Sequence, residues 1–145
     1  MSLDGVYDEG NVFALILAGK LPSTTLYEDE NILAFLDIQP QSKGHALVIS
    51  KWSKARTILE VEPEALAQVM AGVQKLAGAI RAALSPDGIQ IAQFNGAAAG
   101  QTVFHLHVHI IPRWEGGPVG FAHAQGAFAE PEALATLAEQ IRAHL

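Results

Sequence analysis

Residues 101–113 constrain this chain more than any other stretch. Within them His105, His107 and His109 alternate with Leu106, Val108 and Ile110. A period of two belongs to an extended strand, on which the imidazoles would project from one face and the apolar side chains from the other. Next-but-one side chains on a strand stand roughly 6.5–7 Å apart, near enough to serve one substrate or one ion. Thr102, Val103 and Phe104 suit the start of such a strand, after a tight turn at Gly100. Pro112 has no N–H for a ladder and should end the strand or lie at its edge. Half of the chain's 6 histidines fall in this row, which a half-exposed strand with solvent-facing polar residues does not explain. Two chemistries do: a row of zinc ligands, or a nucleophile with acid–base partners working near neutral pH. Position alone does not separate them.

Composition removes several other classes. A chain of 145 residues, 50% hydrophobic and 17% charged, can bury a sizeable core and reads as globular. Fifteen acidic against 9 basic residues give a formal charge of −6, which argues against binding to nucleic acid or to an anionic membrane. It leaves room for a nucleotide held by local donors. Without cysteine there is no disulfide, thiol nucleophile or thiolate zinc site. No apolar run is long enough to span a bilayer and no signal peptide is evident, so a cytoplasmic location is expected.

The elements follow in order. Residues 1–10 are polar, punctuated by glycine, and read as loose. Asn11 as N-cap and Gly19 as C′ bracket a short helix carrying Val12, Phe13, Ile16 and Leu17. Residues 24–27 and 32–36 read as antiparallel strands joined by a polar turn, and Asp37 follows as a turn former. Residues 44–49 read as a turn into a buried strand with His45 at its mouth. Pro63–Leu84 is a long helix, with Leu66, Val69, Met70, Val73, Leu76, Ala77, Ile80 and Leu84 in one broad stripe. A break at 85–88 leads into a strand over 88–94 and a loop of small residues over 95–101. After Arg113 a Gly/Ala-rich loop runs to Phe128, and a final amphipathic helix carries Leu134, Leu137, Ala138 and Ile141. His123 and His144 read as surface residues. Strands, a long helix and further strands define an α+β domain, an antiparallel sheet with helices against it, spanning 1–145 as one unit.

His-Leu-His-Val-His-Ile-Ile resembles the His-φ-His-φ-His-φ-φ signature (φ apolar) of the histidine triad family of nucleotide hydrolases and transferases. Gly100-Gln101-Thr102-Val103 before it and Pro112-Arg113 after it match as well, as do Phe35-Leu36-Asp37-Ile38-Gln39-Pro40 and Gly44-His45-Ala46-Leu47-Val48-Ile49. The likeness covers about 11–113 and leaves 114–145 as a variable extension. It implies a five-stranded antiparallel sheet, a homodimer, and a purine nucleotide as substrate, with no cofactor. His107 would be the nucleophile toward the α-phosphorus of a nucleoside phosphoramidate or related compound, with His105 and His45 holding its ring. His109, with Gln101, Thr102 and amides of the loop containing Gly100, would stabilise phosphoryl charge. Asp37 would hold the ribose, as a carboxylate can accept two bonds from a vicinal diol. Val12, Phe13, Ile16, Phe35 and Ile38 would line the base pocket.

Two departures from the family pattern stand out. Phe94 occupies a position seven residues before Gln101 where an amide side chain is common, with Asn95 adjacent as a possible substitute. Asn11-Val12-Phe13-Ala14 stands where the zinc-bearing branch has Cys-x-x-Cys, and Ser50-Lys51-Trp52-Ser53 where many relatives have Pro-Lys-x-His, so no structural zinc is expected. Competing readings are a dinucleoside polyphosphate hydrolase using the same nucleophile, a metal-binding protein using the histidine row, and a nucleotide-binding module without turnover.

Overall fold

Two strands lack polar alternation, and they lie side by side within the sheet. β2 (Ile32–Leu36) and β3 (Ala46–Ser50) are buried along their whole length, because both of their faces are covered. The computed structural model describes residues 2–121 and 127–145. Its other elements are α1 (Val12–Leu17), β1 (Thr25–Glu28), α2 (Pro63–Leu84), β4 (Gly88–Ala92), β5 (His107–Arg113) and α3 (Pro131–Arg142). A single 3₁₀ turn, Ala97–Ala99, lies between β4 and β5. The five strands form one sheet in the order β1-β2-β3-β5-β4, antiparallel at every step. This is the expected α+β architecture.

Parity along the strands decides what faces what. Even-numbered Ile32, Ala34, Leu36, Ala46, Val48, Val108 and Ile110 pack with α2 and α3 in the larger core. Odd-numbered Leu33, Phe35, Leu47 and Ile49 face the other way and pack with Phe13 of α1. Leu47 pairs with Phe35 on one side and His109 on the other, and Ile49 pairs with His107. The register therefore places His107 and His109 on the α1 side of the sheet. α1 is too short to cover that face, and the remainder is a cavity.

The buried stripe of α2 runs through Ala65, Val69, Gly72, Val73, Leu76, Ala79 and Ile80. Met70 is exposed and Leu66 only half-buried, so the contact face is rotated toward the small residues, which let the helix approach the sheet closely. Leu134, Leu137, Ala138 and Ile141 of α3 are buried as expected. Asn11 caps α1 by accepting the Ala14 N–H at 2.9 Å, and Gly19 has φ 73° just past its end.

Three expectations need correction. The strand containing the histidine row begins at His107 rather than at Thr102. β3, its partner, ends at Ser50, so residues before His107 have no ladder, and the Leu106 N–H turns to the Ala55 carbonyl at 2.9 Å. Pro112 lies inside the strand, paired with Ile89. It is tolerated because its β3 side reaches past the first β3 pairing at Ala46↔Ile110, where its carbonyl accepts the Ser42 hydroxyl at 2.6 Å instead. The N-terminal arm is anchored rather than loose: Ser2 Oγ accepts the Ala97 N–H at 2.7 Å and the Ser2 carbonyl accepts from Arg56 at 3.2 Å.

Among the described residues no helix is long and apolar enough to cross a membrane. His144 is exposed, as expected, whereas His123 and part of the Gly/Ala-rich loop fall outside the described residues.

Two glycines make opposite predictions. Gly44 has φ 92°, and a Cβ there would lie 2.5 Å from Leu84 and 3.3 Å from Pro112. Gly44→Ala should cost about 1–3 kcal/mol. Gly78 is exposed inside α2, and a Cβ there would meet nothing within 4 Å, so Gly78→Ala should add about 0.5–1 kcal/mol. Urea denaturation of both variants checks the pair; a stable Gly44→Ala protein would contradict the packing at the mouth of β3.

Candidate active site

A cavity of about 420 Å³ opens on the odd-numbered face of β2, β3 and β5. Val12, Phe13, Ile16, Phe35 and Ile38 line its apolar part, and Asp37, His45, Thr102, His107 and His109 line its polar part. The strand pairing gathers these residues from four separate stretches. His105, Gly100, Gln101 and Asn95 were also expected there, but they are not on the cavity wall.

One hydrogen bond of the His107 ring has a definite consequence. Its Nδ1 lies 2.7 Å from the His105 carbonyl. A carbonyl can only accept, so Nδ1 carries the proton, and the neutral ring keeps its lone pair on Nε2. The Phe13 ring stands edge-on to it, centroids 4.8 Å apart at 84°.

His109 is set the opposite way. The Gln41 N–H donates to His45 Nδ1 at 2.9 Å, which leaves the His45 proton on Nε2. That proton is donated to His109 Nδ1 at 2.9 Å, so the proton of neutral His109 lies on Nε2. Two imidazoles with centroids 5.0 Å apart are thus held in opposite tautomers, the lone pair on Nε2 in one and the proton on Nε2 in the other. Phe94 and Phe121 pack against His109, centroids 5.5 and 5.0 Å away. Asp37 Oδ1 accepts the Gln39 N–H at 2.8 Å. Burial pushes the Asp37 carboxyl up, against the opposing effect of that bond.

His105 serves from behind. Its Nε2–H donates to the Ser50 carbonyl at 3.2 Å and its Nδ1 accepts from the Tyr7 hydroxyl at 2.7 Å. Burial lowers its pKa to about 4, with the Ser50 bond opposing. Burial raises that of Tyr7, so the phenol remains a donor.

The loop before the row is shaped by Gln101. Its side-chain carbonyl accepts the Gly96 N–H at 2.8 Å, and its amino group donates to the carbonyls of Arg56 at 2.7 Å and Val103 at 3.0 Å. With both ends engaged, Gln101 holds the loop instead of facing a ligand. Asn95 Oδ1 accepts the Ile58 N–H at 2.7 Å, and its Nδ2 donates to Gln93 at 2.8 Å. The amide beside Phe94 therefore points away from the cavity. Phe121, Gln41 and Tyr7 were missed by sequence reasoning. Gln41 acts through its main-chain N–H, and the other two carry no periodic or spacing signal.

Among the described residues the histidine row is not a set of metal ligands. The group whose ligand atoms come together, within 4.8 Å, is Asp37, His45 and His109. A cation on His45 Nε2 would force its proton to Nδ1, against the incoming Gln41 N–H. The donor set does not fit a resident metal.

The fold agrees with the comparisons. The chain belongs to the HIT domain family, whose match covers residues 18–116. It is 41% identical over 140 residues to Protein hit of Bacillus subtilis, covering 94% of this chain and 95% of that one. The adenosine 5′-monophosphoramidase of Schizosaccharomyces pombe is 42% identical over 102 residues, 70% of this chain and 73% of its own. Among solved structures, a Hit-like protein involved in cell-cycle regulation from Bartonella henselae superposes with a TM-score of 0.89 at 43% identity, covering 97% of this chain and all of that one.

The buried His105 has a stability consequence. Its pKa, lowered from 6.5 to about 4, means that the unfolded chain binds a proton in that interval which the folded chain excludes. The contribution is therefore full above pH 6.5 and is lost as pH falls toward 4, by about 2–3 kcal/mol. Urea unfolding of wild type and His105→Gln from pH 7 to pH 4.5 should show a flatter slope for the variant. Equal slopes would contradict a buried neutral His105.

Proposed function

We propose that the protein hydrolyses nucleoside phosphoramidates through a nucleotidyl-histidine intermediate. The observation that carries this reading is the hydrogen bond from His107 Nδ1 to the His105 carbonyl, which puts the lone pair of this cavity-lining imidazole on Nε2. His107 Nε2 attacks the α-phosphorus, an N–P bond forms to the histidine, and the bond to the departing amine breaks. The amine takes up a proton, and water then cleaves the nucleotidyl-histidine to release the nucleoside monophosphate. Two displacements replace one difficult one.

The remaining residues fit supporting roles. His109 offers an Nε2–H where charge develops on the phosphoryl oxygens, with Thr102 beside it on the wall. Gln101 keeps the 96–103 loop in shape. Asp37, on the same cavity wall, would accept from the ribose hydroxyls. Val12, Phe13, Ile16, Phe35 and Ile38 offer the base an apolar slot. No metal takes part in any step.

A dinucleoside polyphosphate would use the same nucleophile but bring a polyanionic leaving group. Among the described residues no Lys or Arg lines the cavity, whereas Asp37 does, and this favours the phosphoramidate. The name of the Schizosaccharomyces relative points the same way.

AMP release from adenosine phosphoramidate and from diadenosine tetraphosphate, measured with chelator present, tests the assignment. The phosphoramidate should be the faster substrate. His107→Ala should lose at least about 10³-fold in kcat with an unchanged melting temperature. Undiminished turnover by His107→Ala would end this reading.

A further inference from the structure

The carbonyl that sets the His107 tautomer belongs to a peptide outside the sheet. β5 begins at His107 itself, and residues 103–105 form a bend. The position of the His105 peptide therefore depends on what holds the His105 ring and on the Leu106 N–H bond to Ala55. The ring has two hydrogen-bonding anchors, the Ser50 carbonyl and the Tyr7 hydroxyl. We propose that Tyr7 is a positioning residue for the nucleophile: its hydroxyl, donated to His105 Nδ1, holds His105 where its carbonyl takes the His107 Nδ1–H.

Tyr7 reaches His105 across 98 residues of sequence, and its place is built rather than incidental. The Asp8 carbonyl accepts from the Asn11 side chain at 2.7 Å and from the Asn11 N–H at 3.1 Å, tying the arm to the start of α1. Glu9 pairs with Lys54 on the segment after β3. Tyr7 is thereby fixed between α1 and the strand end, with its ring edge-on to His105, centroids 5.7 Å apart. From the same helix Phe13 bears on both His105 and His107, at 6.3 and 4.8 Å.

The hydroxyl also selects a tautomer. Only a His105 protonated on Nε2 can donate to Ser50 and accept from Tyr7 together. Without the phenol O–H, a buried Nδ1 has no donor. The ring then gains only by turning toward another donor, which loosens its bond to the Ser50 carbonyl. The shift passes through the His105 peptide to the bond that holds His107. Tyr7 touches no reacting atom, so its effect should fall on turnover rather than on substrate binding.

This inference rests on His107 being the nucleophile, and the test keeps the two claims apart. Wild type and Tyr7→Phe are compared by steady-state hydrolysis of adenosine phosphoramidate, by melting temperature, and by the ¹⁵N resonances of the His105 and His107 rings. The expected result is a fall in kcat of about 10-fold or more. KM should stay within about two-fold, and the His107 resonances should move from a single Nδ1–H tautomer toward a mixture. An unchanged kcat would overturn the proposal. So would a fall in kcat matched by changes in KM and melting temperature with the His107 tautomer intact, since that is a purely structural role. If wild type does not cleave the phosphoramidate, the functional reading fails, and the ¹⁵N comparison alone decides whether Tyr7 sets the His107 ring.

Discussion

An imidazole bonded through Nδ1–H to a main-chain carbonyl has one neutral tautomer left to it, and His107 is held in that way at 2.7 Å. Everything distinctive about the site follows from where that carbonyl sits. It belongs to His105, the residue at which the chain leaves its bend and enters β5. A strand running two residues further back would have pulled the His105 peptide into the ladder. The early end of β3 is thus a condition for that hydrogen bond as well as a feature of the sheet.

The rest of the fold holds opposite tautomers a few ångströms apart. His107 presents an acceptor, and His109, reached through Gln41 and His45, presents a donor. Both relays begin at fixed groups: a main-chain N–H in one case, a main-chain carbonyl in the other. A buried ring bonded in this way cannot exchange its proton between nitrogens without losing a bond in a dry environment, which makes the arrangement rigid. The same feature disfavours a cation on the Asp37–His45–His109 group. The apolar slot beside the rings comes from parity, since Leu33, Phe35, Leu47 and Ile49 share the face that α1 leaves partly open.

Much of this was legible before any coordinates. Period-two alternation in β5 separates the face against the helices from the cavity face, and the apolar stripe of α2 follows from burial on one side, so both leave their mark in sequence. Asp37, His45 and the base-pocket residues were placed by resemblance and do line the cavity. What could not be read were contacts made by the main chain and by single side chains. Gln101 was expected to face a phosphate, and instead both ends of its amide shape a loop. Tyr7 lay in a segment without periodicity, so nothing in the text marked it as a partner of His105. The start of β5 was misplaced because Thr102, Val103 and Phe104 have strand propensity, while the pairing that would use it is set by where β3 stops.

The central claim is that bond exchange at phosphorus happens twice, first at His107 Nε2 and then at water. The most direct measurement is the configuration at an isotopically chiral α-phosphorus after complete hydrolysis of a phosphoramidate. Each in-line displacement inverts the centre, so two displacements give net retention, which the account predicts. Net inversion would mean that water attacks the substrate directly, and His107 would then be something other than the nucleophile.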